Sequence, residues 1–287
     1  METGSGFHKP GITGTLGATA AAARLLDLTR EQTLIAFGIA VAETTPALQV
    51  ASRPKDGKLR FLRTILPSAG MNIEQARFNM VEQQIRTWEV LDQQVLDLLF
   101  RLRREDYVPE PYRALAFADM EIPLWHGEKM LQPKLEARML QELTLKNTDQ
   151  ILEVGTGSGY MTALVASLGR HVYSVEIVPE FSVSAAAKLQ AHGIANVTLQ
   201  TGDAARGWDT HAPYDAIVLT GSVPVLPEAF QKCLKPGGRL IAVVGEPPVM
   251  EARLITCVSS GAYNSIGLFE TCIAPLKNAL QPEKFVF

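Results

Sequence analysis

Residues 152–160 read Leu-Glu-Val-Gly-Thr-Gly-Ser-Gly-Tyr, with Gly155, Gly157 and Gly159 at alternate positions behind the carboxylate of Glu153. The apolar run Gln150-Ile151-Leu152 precedes them and an apolar stretch at 161–168 follows, so the spacing predicts a strand, a tight turn and a helix start. Glycine has no Cβ, and such a turn brings backbone close to a ligand. Free N–H groups of the first helical turn point at whatever sits there. One chemistry for this turn is a dinucleotide pyrophosphate, usually spelled G-x-G-x-x-G. Here the spelling is G-x-G-x-G, and Glu153 just ahead of it suits a cationic ligand better. Two more acids belong with the turn. Glu176 ends the run His171-Val172-Tyr173-Ser174-Val175-Glu176, about 20 residues past the first glycine, where a βαβ unit sets a carboxylate against ribose hydroxyls. Asp203, in Gly202-Asp203-Ala204, follows a further apolar run.

The elements that must position these residues surround them. Besides the runs at 150–154 and 171–176, strands are predicted at 196–199, 214–219 and 239–244, the last entered through Pro236-Gly237-Gly238. Helical segments at 180–192 and 227–234 lie between them. This alternation predicts an α/β, Rossmann-like fold, a doubly wound and mostly parallel sheet with helices on both faces. Ligands of such sheets bind at the carboxyl ends of the strands, near the topological switch point. Glu176 and Asp203 fall at such ends. Upstream, Asp92 caps a helix whose Val95, Leu98, Leu99 and Leu102 follow i, i+3, i+4, i+7 spacing.

Composition narrows the function classes. A net charge of −3 over 287 residues gives no basic bias toward nucleic acid. No apolar run approaches the roughly 18 residues of a membrane span. The short apolar run at 18–23 lacks a basic leader, against a signal peptide. Cys233, Cys257 and Cys272 show no metal-ligand spacing and predict buried thiols in a reducing, cytoplasmic setting. The five histidines pair with no second ligand at helical spacing, so no metal is expected.

The chain divides near residue 70. Residues 1–70 predict a short helical extension, with helices at 15–26 and 30–42 and a solvated linker holding Arg53, Lys55, Lys58, Arg60 and Arg63. Residues 6–40 resemble a segment of the MmgE/PrpD family, too short to carry that family's activity. Residues 71–287 hold the α/β pattern, and Met71-Asn72-Ile73-Glu74 looks like a natural start.

Within 71–287, the glycine loop with its preceding acid is similar to the S-adenosylmethionine (SAM) loop of class I methyltransferases. Further motifs in order resemble the protein-L-isoaspartate O-methyltransferase family: 77–86, Tyr107-Val108-Pro109-Glu110, Ala118-Asp119, Ile122-Pro123-Leu124, Gly155–Tyr160, Glu176, Gly202-Asp203, Gly207-Trp208, Ala212-Pro213-Tyr214-Asp215 and Gly237-Gly238. The resemblance implies SAM as cofactor, held by Glu153, Gly155, Thr156, Gly157, Ser158, Gly159, Glu176, Asp203 and Ala204. It implies isoaspartyl peptides or proteins as acceptors, and a monomer is expected. One segment departs from the family. Where the family has Gly-Gln-Thr-Ile-Ser-Gln-Pro, this chain has Gly127-Glu128-Lys129-Met130-Leu131-Gln132-Pro133, with Leu131 in the serine position and Lys129 in the threonine position.

An isoaspartyl carboxylate is ionised at neutral pH, since carboxyl pKa values lie near 4. It needs alignment and partial desolvation rather than a general base. Lys129, Gln132 and His126 are the candidates for contact with it in place of the serine. Two alternatives stay open because of Leu131: a relative that methylates a small metabolite, and a SAM-binding protein without catalysis. Trp125 is expected to pack on the entry helices and Trp208 to cover the sheet edge.

Overall fold

The computed structural model describes residues 72–282, all within the compact unit Pro67–Phe287. The helices and basic cluster expected before residue 70 lie outside the described residues. A two-stranded hairpin pairs β1 (Ile122–Pro123) antiparallel with β2 (Lys129–Met130). The main sheet contains β3 (Gln150–Val154), β4 (His171–Glu176), β5 (Val197–Thr201), β6 (Tyr214–Leu219), β7 (Leu234–Glu246), β8 (Val249–Ser259) and β9 (Ala262–Thr271). Its order is β5-β4-β3-β6-β7-β8-β9, parallel from β5 to β7 and antiparallel beyond. The order reverses between β3 and β6, the expected switch point.

Alternate residues of the central strands enter two separate cores. Ile151, Val218 and Ile241 pack on one face, and Leu152, Ile217 and Leu240 on the other. Period-two alternation sends successive side chains to opposite faces, and both faces here are covered, so these strands are mostly apolar. The larger core takes in α1 (Ile73–Asn79), α2 (Gln93–Arg101), α3 (Pro133–Leu143) and α4 (Tyr160–Leu168) through residues such as Leu96, Leu135 and Leu164. The smaller one includes Phe230 of α6 (Glu228–Lys232), while α5 (Pro179–Ala191) lies against β4 and β5. Asp92 caps α2 by accepting from the N–H groups of Gln94 (2.8 Å) and Val95 (3.3 Å).

Strands β8 and β9 were not foreseen. In β8 the buried residues are Met250 and Ala252 on one face of the sheet and then Ile255 and Cys257 on the other, and in β9 a bulge at Leu268 shifts the register, so neither strand shows one clean alternation. The two-residue turn between them places Gly261 at φ +77°. Cys272, just past β9, is exposed, against the expectation of three buried thiols, because the sheet ends there.

The hairpin is anchored from beneath by Arg104, which is almost fully buried. Its guanidinium donates to Leu131 O at 2.5 Å, lies 3.2 Å from the buried Glu136 carboxylate and stacks over the Tyr160 ring. Burial lifts the Glu136 carboxyl to about 7, against the pull of Arg104. Removing one partner of a buried pair costs about 3–5 kcal/mol. Arg104→Ala is therefore expected to lower unfolding stability by roughly that amount in urea denaturation, with a smaller loss in Arg104→Ala/Glu136→Leu. Equal losses in the two variants would show that the pair is not what anchors the hairpin.

Candidate active site

A cavity opens where the carboxyl ends of the parallel strands meet the switch point, walled by the turns after β3, β4, β5 and β6. The hairpin closes one side, and the segment Ala274–Lys277 closes another. That segment is fastened to the turn after β6, since Ser222 N donates to Ala274 O and Leu276 N to Ser222 O, both at 2.9 Å.

Each loop glycine has its own reason. Gly155 sits at φ +96°, and a Cβ there would stand 2.3 Å from Thr220 Oγ1. Gly159 sits at φ +83°, with a Cβ at 2.9 Å from Ala185 of α5. Gly157, at φ +50°, meets nothing nearer than Leu124 at 3.6 Å, so it leaves the cavity floor open. Its N–H donates to Glu176 Oε2 at 2.8 Å, while Glu176 Oε1 accepts from Val178 N at 2.9 Å. Asp203 Oδ1 accepts from Ala205 N (3.1 Å) and Oδ2 from Asn278 Nδ2 (2.8 Å). Lys188 ties the loop down from α5, donating to Ser158 O at 3.2 Å and Tyr107 O at 2.9 Å, and burial lowers its ammonium pKa.

Gly155, Gly157, Glu176, Asp203 and Ala204 line the cavity, and Thr156, Ser158 and Gly159 shape the turn without lining it. Thr156 Oγ1 bonds Ser174 Oγ at 2.6 Å, and Ser158 Oγ accepts from Tyr160 N at 3.2 Å. Glu153 differs from the expectation. Strand alternation turns it to the face of Ile151, beneath α4, where it is fully buried and reaches no cavity. Its Oε2 accepts from Thr162 and Ser174, both at 2.6 Å. Burial raises its pKa to about 8 against the pull of those two hydroxyls.

Of the candidates for acceptor contact, Lys129 and Leu131 line the cavity, and His126 and Gln132 do not. His126 stands edge-on to Phe181 in the turn of the hairpin, its side chain 46% exposed. Gln132 serves as the residue before α3, its carbonyl accepting from Leu135 N and Glu136 N at 3.1 Å. Trp125 stacks on Phe181 at the hairpin turn and is 56% exposed, instead of packing on the entry helices. Trp208 covers β5 as expected, bonding Gln200 Oε1 at 3.2 Å. The sequence reading missed Phe181, Thr220 and the 274–277 wall. Thr220-Gly221 directly after a strand was a usable signal, whereas the wall is delivered by the unforeseen β8–β9 hairpin.

The cavity's charges pair unevenly. Lys129 bonds Glu121 at 2.7 Å and Lys277 bonds Glu128 at 2.9 Å. Among the described lining residues, Glu176 and Asp203 are left without a cation. Two such carboxylates repel a pyrophosphate and accept hydroxyl or ammonium donors. No metal-binding cluster occurs among the described residues. A glycine turn, two strand-end acids and a seven-stranded sheet with this order define a class I SAM-dependent methyltransferase fold.

Residues 75–264 match the family model of protein-L-isoaspartate(D-aspartate) O-methyltransferase, and the chain belongs to that family of SAM-dependent enzymes. Residues 1–62 match the MmgE/PrpD N-terminal domain, a longer stretch than the 6–40 resemblance. A protein-L-isoaspartate O-methyltransferase of Rhodopseudomonas palustris is 37% identical over 208 residues, 71% of this chain and 95% of its own. One from Myxococcus xanthus is 46% identical over 156 residues, 54% of this chain and 74% of its own. A Plasmodium falciparum beta-aspartate methyltransferase solved with S-adenosyl-L-homocysteine shares the fold at a TM-score of 0.61 and 21% identity, over 72% of this chain and 99% of that one.

Glu153 has a consequence for stability. Its folded pKa of about 8 lies above the value near 4.3 of an unfolded glutamate. The folded protein therefore holds a proton that the unfolded chain has released, a contribution complete below about pH 4 and lost as pH rises through about 8. The melting temperature is expected to fall across that window, and Glu153→Gln to flatten the fall. A slope unchanged in that variant would contradict the assignment. For the ligand, Glu176→Ala is expected to weaken S-adenosylhomocysteine binding by about tenfold or more in calorimetry. Unchanged affinity would remove Glu176 from the site.

Proposed function

We propose that this protein methylates the carboxylate of isoaspartyl residues in damaged proteins, with SAM as donor. The observation that carries the reading is the glycine-floored cavity at the switch point with two uncompensated acids, in a chain of this family. The loop at Gly155 and Gly157, Glu176 and Asp203 would hold the cofactor, with Ala204 beside them. When bound, SAM supplies a methyl carbon activated by positively charged sulfur.

The chain's own residues then bind and align. Glu176 and Asp203 offer acceptor oxygens to hydroxyl and amine donors. Leu124, Leu131 and Phe181 present apolar surface that strips water from the acceptor carboxylate. That carboxylate is already ionised, which suits a cavity with no histidine among its described lining residues. Both ends of the reaction thus require placement more than proton transfer.

Residues 71–287 are proposed to suffice for this activity, with 1–70 an extension. We also place the protein in the cytoplasm as a monomer, in keeping with its sparse, unpaired cysteines. Among the described residues no helix is long and apolar enough to cross a membrane.

Labelled SAM offered with an isoaspartyl peptide and with its normal aspartyl twin tests the acceptor. Base-labile label on the isoaspartyl peptide alone is expected. SAM bound without any ester formed would overturn the reading, and label on a small molecule from cell extract would favour a metabolite acceptor. A chain starting at Met71 is expected to bind S-adenosylhomocysteine as tightly as the full one; a lost affinity would tie residues 1–70 to the site.

A further inference from the structure

We propose that the Lys129 ammonium receives the acceptor's carboxylate and thereby restricts the site to anionic acceptors. The inference rests on the methyl-transfer reading above and names the group that selects the acceptor. Strand β2 is extended, so its side chains alternate. Met130 is buried in the core, and Lys129 and Leu131 on either side of it both line the cavity, Leu131 while itself packed in the same core. Leu131 has no side-chain donor, and its carbonyl is taken by Arg104 at 2.5 Å. Among the described lining residues the cations are Lys129 and Lys277. Lys277 reaches the hairpin from the C-terminal segment and bonds Glu128 at 2.9 Å, while its neighbour Asn278 binds Asp203 at 2.8 Å. Lys129 is the cation carried by the hairpin itself, two residues before Leu131 of the apolar wall.

The ammonium is available for this task. Its side chain is 50% exposed and bonds Glu121 at 2.7 Å. Such half-exposed pairs hold weakly, and an ammonium has three donors, so Glu121 leaves two for an incoming carboxylate. A lysine is a compact point charge that discriminates by charge more than by planar geometry. A carboxylate therefore gains from it, and a neutral hydroxyl or amide gains little.

The test compares wild type, Lys129→Met and Lys129→Arg in two assays. One is steady-state methylation of an isoaspartyl peptide. The other is calorimetry of S-adenosylhomocysteine, then of the peptide added to the S-adenosylhomocysteine-loaded protein. Lys129→Met is expected to raise KM and the peptide Kd by about tenfold or more, with a smaller change in kcat. Its affinity for S-adenosylhomocysteine should stay at the wild-type value, which also shows that the variant is folded. Lys129→Arg should retain most of the peptide affinity. Added salt should weaken peptide binding in wild type and do so less in Lys129→Met. Peptide affinity unchanged in Lys129→Met, or an equal loss of S-adenosylhomocysteine affinity, would overturn the proposal. If wild type methylates the peptide and Lys129→Met does so equally well, only the role of Lys129 falls. If wild type binds S-adenosylhomocysteine but neither binds nor methylates the peptide, the acceptor assignment falls and Lys129 with it.

Discussion

A buried carboxyl group holds the floor of the cavity in place. Glu153 collects the hydroxyls of Thr162 and Ser174 on one oxygen, and Ser174 in turn bonds Thr156 within the glycine turn. The network joins β3, β4, α4 and the loop, so the turn's shape is fixed from below by side chains that no ligand touches. A buried acid in so dry a place is stable as the neutral species. Neutrality also spares the cavity a third unpaired negative charge near Glu176. From above, Thr220 meets Gly155 so closely that only glycine fits. The turn is clamped between these two constraints, and its N–H groups are left in a fixed geometry.

The wall opposite the loop depends on a second buried charge. Arg104 holds the backbone at Leu131, and Glu136 balances it from the first turn of α3. Through this pair the N-terminal helices, which carry no cavity residue themselves, set the position of the hairpin. Arg77 adds to the same layer with a 2.5 Å bond to the buried Glu105, one residue past Arg104. Such pairs contribute little net stability against an apolar substitute, but they are costly to break, so they fix one arrangement in preference to others. The hairpin can then present Lys129 and Leu131 to the cavity while Met130 packs inward.

Much of the sheet could be read in the sequence because its central strands are buried on both faces. Runs such as Ala216–Leu219 are apolar without interruption and end in turn residues. The edge toward β9 was hidden for the opposite reason. It is half exposed, and a bulge at Leu268 shifts its phase midway. The candidate site divides in the same manner. Gly155, Gly157, Glu176 and Asp203 lie at the ends of readable strands, so spacing alone located them. Glu153 is adjacent to them in sequence, yet alternation sends it to the other side of the sheet; counting parity from Ile151 would have shown this. The wall at 274–277 has no local signature, because long-range pairing brings it into place.

Of the two lysine–glutamate pairs at the rim, one is local to the hairpin and the other follows from that long-range arrangement. Lys129 and Glu121 join the strands of the hairpin, and Lys277 joins the C-terminal segment to Glu128 at the hairpin's turn. Each pair is partly exposed, so neither holds the molecule together. Their value lies in charge balance. They neutralise the rim where an anion must enter, and leave the uncompensated acids at the strand ends where a cationic donor belongs. A cavity with negative charge concentrated at one end and exchangeable cations at the other separates a methyl donor from a carboxylate acceptor before either makes a directional contact.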